Sequence, residues 1–231
     1  MHVIFMLLLI VLFVGLTALT VHLDLFNVYI IPFTIVTILI RTFIDSRTAL
    51  FASLITIILS SLMVQFPFEF IVLQISATMV SIFMLKELSE RSQLIRSSFF
   101  ILFTYSFVYL GLVMYQEGNV AEANWVMLIY FLINFILIMF SYSLIYLVEK
   151  SFGFISGVTL VELSNINKPL LKELSEKTPG TFQHSLQVSN LAVAAAIKLG
   201  ANASLIRTGA LYHDIGKMVN PDFFTENQAP G

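Results

Sequence analysis

Four side chains toward the end of this sequence are of types that do chemistry: His184, His213, Asp214 and Lys217. Imidazole and carboxylate groups bind divalent metals, and an ammonium group beside them can neutralise charge on an anionic substrate. Spacing decides which of them can meet. With Thr181 as N-cap and Gly200 as terminator, the run between them reads as one helix. Along it, His184, Val188, Leu191 and Ala195 recur at i, i+4, i+7 and i+11. They form one stripe, and His184 is expected to face the interior of the fold. A second helix, from about Ala203 to Gly216, aligns Ile206, Gly209, Ala210 and His213. Gly209 and Ala210 are small enough to admit another helix, and His213 again lies on the buried side. Asp214 projects about 100° around the axis from His213, and Lys217 follows one turn after it.

Two readings of these residues stay open. Inward histidines are commonly hydrogen-bonded core residues. A buried carboxylate, however, needs a cation or several donors, because an unpaired buried charge is costly. A divalent ion would satisfy His184, His213 and Asp214 together. Lys217 is either a phosphate-neutralising group or a solvated surface lysine. Asn227 and Gln228, in the segment ENQ, either contact a nucleotide or simply form a loop.

The elements that must position these groups follow a stretch of different character. The chain has 231 residues, 58% of them hydrophobic and 11% charged, with mean hydropathy +0.92. Soluble domains are about a quarter charged, so this is a membrane protein whose first partner is the lipid bilayer. Six apolar segments are candidate spans: His2–Val21, Phe26–Ile40, Thr48–Phe66, Phe68–Leu85, Phe99–Tyr115 and Trp125–Val148. Arg41, Arg47, Lys86, Arg91 and Arg96 fall only in the second and fourth connections, whereas Asp24, Glu69, Glu117 and Glu122 occupy the other three. Because basic residues favour cytoplasmic loops, both ends of the chain are expected in the cytoplasm of a multi-pass cell-membrane protein.

Several classes are disfavoured. Without cysteine there is no disulfide or thiolate metal site. A net charge of −2 gives no electrostatic reason for DNA or RNA binding. The first apolar run lacks a basic leader and a small-residue cleavage site, so it reads as a retained helix. No charge sits in the middle of a span, which argues against a transporter. Gln74 and Asn134 are expected to hydrogen-bond between helices, and Asp45 with Arg47 to fix a helix end. Three regions result: a transmembrane sensor and anchor region over residues 1–148, a coupling segment over 149–180, and a domain over 181–231. The coupling segment should hold a short helix within VTLVELSN and another over Pro169–Lys177.

The stretch HDIGK, from His213 to Lys217, resembles the HD superfamily of metal-dependent phosphohydrolases, and TPGTFQHSLQVSNLA resembles that family's first histidine helix. GALYHDIGKMVNPDFFTENQ, together with FIDSRTALF, FPFEF and LKELSERSQLIR, is similar to the membrane-bound seven-transmembrane HD proteins. The resemblance implies an all-α chain: a polytopic transmembrane bundle, then the N-terminal part of an α-helical HD domain. It implies hydrolysis of a cyclic dinucleotide, cyclic di-AMP to pApA, with two iron or manganese ions as cofactors and room for a homodimer. By position, His184 and His213 would be metal ligands and Asp214 a bridging ligand and catalytic group. Beside these, Lys217 is a candidate catalytic and substrate-binding group, and Asn227 and Gln228 are candidate substrate contacts. The family pattern has further ligands beyond those present, so the chain is expected to be a fragment that is inactive alone. A membrane receptor or scaffold with a degenerate HD domain is the alternative.

Overall fold

The computed structural model describes residues 1–85 and 91–228, and every regular element among them is helical. Lys86, in the fourth connection, lies outside the described residues. The chain divides into two compact units, Met1–Ser156 and Gly157–Gly231.

The first unit contains α1 (His2–Leu23), α2 (Thr34–Phe43), α3 (Ser46–Ser61), α4 (Pro67–Met84), α5 (Arg91–Glu117), α6 (Val126–Met139) and α7 (Ser141–Phe152). Four helical stretches are long and apolar enough to cross a membrane: His2–Leu23, Pro67–Met84, Ser92–Glu117 and Val126–Phe152. The expectation of six spans is thereby corrected, since the second and third segments form the shorter apolar stretches Val28–Phe43 and Ser46–Ser61. Proline explains the second. Pro32 cannot donate a backbone hydrogen bond, and a short helical turn at Val28–Ile30 is separated from α2 by extended backbone at Ile31. The 16 residues of α3 rise about 24 Å, short of a hydrocarbon core of about 30 Å.

Small and hydroxylated residues let these helices approach where no hydrophobic effect drives association. The buried face of α3 is Ala49, Ala52, Ser53, Thr56, Ile57, Ser60 and Ser61. Ser53 Oγ lies 2.8 Å from Thr37 Oγ1 on α2, and Thr17 on α1 donates to Ser60. Asp45 does fix the start of α3, but through Thr48, whose N–H and hydroxyl both donate to its carboxylate, at 2.9 and 2.6 Å. These bonds hold Asp45 below the ordinary carboxylate range, with Arg47 a minor contributor.

Gln74 and Asn134 both join helices, as their types and positions suggest. Tyr105 on α5 donates to Gln74 Oε1 on α4 at 2.6 Å. Asn134 Nδ2 donates to Tyr29 O and Ile31 O, each at 3.1 Å. Both carbonyls lie beside the Pro32 break; Ile31 O also accepts from the Phe33 N–H, so Tyr29 O is the one that depends on Asn134. Asn134→Leu should therefore destabilise the bundle by about 2 kcal/mol, the scale of a stranded buried acceptor. Thermal unfolding of the solubilised chain checks this, and an unchanged midpoint would refute it.

The second unit contains α8 (Gly157–Leu163), α9 (Pro169–Lys177), α10 (Pro179–Leu199) and α11 (Ala203–Tyr212), followed by three short helical turns. Helix α9 spans the residues expected of it, with Pro169 in its first turn. Leu171, Leu174 and Leu211 form the core, and Phe182, Leu186, Tyr212 and Met218 pack against it. Gly200 terminates α10 at φ +66°, a left-handed conformation that glycine adopts without penalty.

Candidate metal centre

Helices α10 and α11 pack against each other, and their contact sets the site. Two expectations about α10 need correction. It begins at Pro179 with Thr178 as N-cap, not at Thr181, because proline is pre-organised for the first helical turn. Its buried face is Thr181, Ser185, Ser189 and Ala196, while His184 and Leu191 are exposed. Small side chains permit the closest helix contacts, so they outcompeted the bulkier stripe that periodicity selected.

Helix α11 ends earlier than expected, at Tyr212, with His213 as C-cap; Ile215–Val219 continues as a tighter helix. A side chain added at Gly209 would meet nothing within 4 Å, so this glycine admits no neighbouring helix. Hydroxyls on the same helix anchor it to α8 instead. Thr208 donates to Leu160 O at 3.0 Å, and Tyr212 donates to Leu163 O at 2.9 Å.

This arrangement brings His184, His213 and Asp214 together. One ligand atom from each lies within 4.8 Å of the others. The imidazole centroids are 5.8 Å apart. His213 is exposed rather than buried, which corrects the expectation for both histidines. His213 Nδ1 lies 2.8 Å from Ala210 O, a contact that places the proton on Nδ1 and presents Nε2 as the ligand atom. Nε2 is 3.3 Å from Asp214 Oδ2. The end of α11 adds partial negative charge where a cation would sit.

Lys217 joins the same constellation. Its Nζ is 2.9 Å from Asp214 Oδ2 and 2.7 Å from Glu226 Oε1, and it lies over the Phe224 ring at 4.9 Å. Bonding to Glu226, and secondarily to Asp214, raises the Lys217 pKa; the same lysine lowers that of Glu226. The Glu226 contribution is thus present above its unfolded pKa and lost as pH falls through the lowered folded value.

The segment ENQ divides its roles. Asn227 binds α10: its Oδ1 accepts from Thr181 N–H at 3.0 Å, and its Nδ2 donates to Thr181 Oγ1 at 2.8 Å. Gln228 donates to Asp222 O at 2.7 Å. Gly180 lies directly beneath the Glu226 backbone, leaving no space for a Cβ. Sequence reading missed this contact and the Glu226–Lys217 pair. The glycine in TPG was their only visible signal.

The donor set fits one divalent ion: two imidazoles and a carboxylate, converging, with one imidazole's outer nitrogen already engaged. Residues 1–156 match the family described as 7TM receptor with intracellular HD hydrolase, and residues 181–230 match the HD domain. The chain is 33% identical over 208 residues to a Bacillus subtilis protein named cyclic-di-AMP phosphodiesterase PgpH, an alignment covering 87% of this chain and 29% of that protein. It is 39% identical over 153 residues to the protein of the same name in Listeria monocytogenes, covering 65% and 21%. An uncharacterized Synechocystis protein is 54% identical over 83 residues, covering 36% of this chain and 10% of that protein. The chain therefore spans less than a third of the length of the curated relatives it matches. No solved structure matches it.

Proposed function

The chain belongs to the family of 7TM receptors with an intracellular HD hydrolase, and on that premise we propose that it forms part of a membrane-anchored phosphodiesterase acting on a cyclic dinucleotide. The observation that carries this reading is the convergence of His184, His213 and Asp214 from α10 and the end of α11. The names of the Bacillus and Listeria relatives support cyclic di-AMP as the substrate, opened to pApA.

His184 and His213 would hold the metal, and Asp214 would share it and bridge to a second. Iron or manganese suits imidazole and carboxylate ligands with no thiolate. When bound, such ions supply Lewis acidity toward a phosphodiester oxygen. Lys217 would neutralise a phosphate oxygen from its place beside Asp214. Gln228, exposed, is the better placed of the two amides to meet a nucleotide, since Asn227 is engaged on Thr181.

The membrane helices would serve as anchor and signal input, with α8 and α9 coupling them to the HD unit. Both chain ends would face the cytoplasm, as supported by Arg41 and Arg47 at one end of the bundle and Asp24 and Glu69 at the other. A homodimer is the assembly we expect. The three clustered ligands suffice for one ion among the described residues, so the 231-residue chain alone should not turn over cyclic di-AMP.

The test is a chimera in which residues 1–228 are continued by the corresponding C-terminal part of the Bacillus subtilis relative. With manganese, the chimera should release pApA and the isolated chain should release none. Activity in the isolated chain, or a folded, manganese-loaded chimera that leaves cyclic di-AMP intact, would overturn the proposal.

A further inference from the structure

The membrane unit holds a cavity of about 530 Å³ that has no part in the metal centre. It is built where α1, α4, α5 and α6 approach the turn before Pro32, at the acidic end of the bundle. Its volume is in the range of small-molecule sites. Asp24 and Glu69 line it, and no lysine, arginine or histidine does among the described residues.

Most of its polar groups are already engaged. Glu69 accepts from Gln116 at 3.2 Å. Asn27 accepts from the Tyr29 N–H, and Tyr109 OH exchanges bonds with the Asn124 backbone. Two buried hydroxyls are not engaged. The hydroxyls of Thr20 and Tyr29 have no hydrogen-bond partner, although these lining residues are only 1% and 7% exposed. Both oxygens lie behind the cavity wall, so the groups that a ligand would meet are the carboxylates and the aromatic rings. Aromatic residues Phe26, Tyr29, Phe66 and Tyr109 supply the rest of the wall's character.

We propose that this cavity binds a small organic cation, an amine or quaternary ammonium. Two carboxylates with no competing base favour positive charge, and aromatic faces attract ammonium groups further. This site stands apart from the phosphodiesterase reading, because binding is measured in the membrane unit whether or not the chain hydrolyses anything.

The experiment titrates the solubilised 231-residue chain with spermidine and with choline, and with magnesium and glutamate as comparators. Emission of the single tryptophan, Trp125, next to the cavity residue Asn124, reports binding alongside thermal unfolding. At least one ammonium probe should give a saturable response and stabilise the fold. Affinity should fall at least about tenfold in Glu69→Gln and in Asp24→Asn, the scale of a lost charge-assisted contact. It should be unchanged in Glu117→Gln, whose carboxylate is outside the lining. If one cavity variant fails to fold, the other decides. No saturable response to either probe, full affinity retained in the folded cavity variants, or an equal response to magnesium or glutamate would overturn the site.

Discussion

Replacing Asp214 with alanine is expected to lower manganese affinity at least about a hundredfold, because removing even an outer partner of a metal ligand costs about 10- to 100-fold. Among the described residues Asp214 is one of three clustered donors, and it supplies the negative charge among them. His184→Ala and His213→Ala should act in the same direction. Combining any two should abolish measurable binding, since a single remaining ligand no longer forms a chelate. Lys217→Ala should move the other way. Its ammonium lies 2.9 Å from Asp214 Oδ2, where it opposes an incoming cation. Relieving about 1 kcal/mol of repulsion, the value for unit charges about 4 Å apart in water, raises affinity roughly fivefold. Calorimetric manganese titration of the folded variants separates these outcomes. Unchanged affinity in Asp214→Ala would remove the metal assignment, and weaker binding in Lys217→Ala would show that the lysine supports the ion.

The opposite responses expected of Asp214 and Lys217 illustrate how much of the site could be read before its geometry. Residue type identified all four chemical groups, and HDIGK placed three of them within five residues. Their meeting with His184 was expected from an inward-facing stripe, and the structure brings them together on an exposed face instead. What periodicity could not supply was the face of α10 that packs. A hydrophobic stripe is a sound guide when burial of large side chains drives packing. Here Thr181, Ser185 and Ser189 line the contact, and small polar residues carry little weight in an apolar pattern. His184 is exposed instead.

The membrane half shows the same division. Composition and the clustering of basic residues made the bundle legible, and Gln74 and Asn134 stood out because amides are rare in apolar spans. Length was harder to read. Pro32 breaks the second segment into short helical pieces, and the Tyr29 carbonyl beside the break is satisfied by Asn134, more than 100 residues away. Such a partnership leaves no local trace, because it depends on which helix lies opposite the break.

Contacts between distant segments also govern the final prediction, that Gly180→Ala will detach the turn at residues 225–227 from the start of α10. A Cβ at Gly180 would occupy the position of the Glu226 carbonyl, and backbone cannot yield as a flexible side chain can. Helix α10 has its own packing against α9 and α11, so the short turn is the part that gives way. The penalty is therefore limited to what the turn contributes. The two Asn227–Thr181 hydrogen bonds are worth about 1–3 kcal/mol together at the usual 0.5–1.5 each. Asn227→Ala removes those bonds directly and should cost a similar amount. The double variant should cost no more than the larger single one, since a detached turn has no bond left to lose. Hydrogen exchange at the Thr181 amide gives the most specific readout. That amide donates to Asn227 from the first turn of the helix, where no intrahelical carbonyl is available. Either substitution should speed its exchange about 5- to 160-fold, corresponding to 1–3 kcal/mol of opening free energy. Additive losses in the double variant, or unchanged exchange at Thr181 in Gly180→Ala, would mean that α10 itself yields and that the turn does not depend on this glycine.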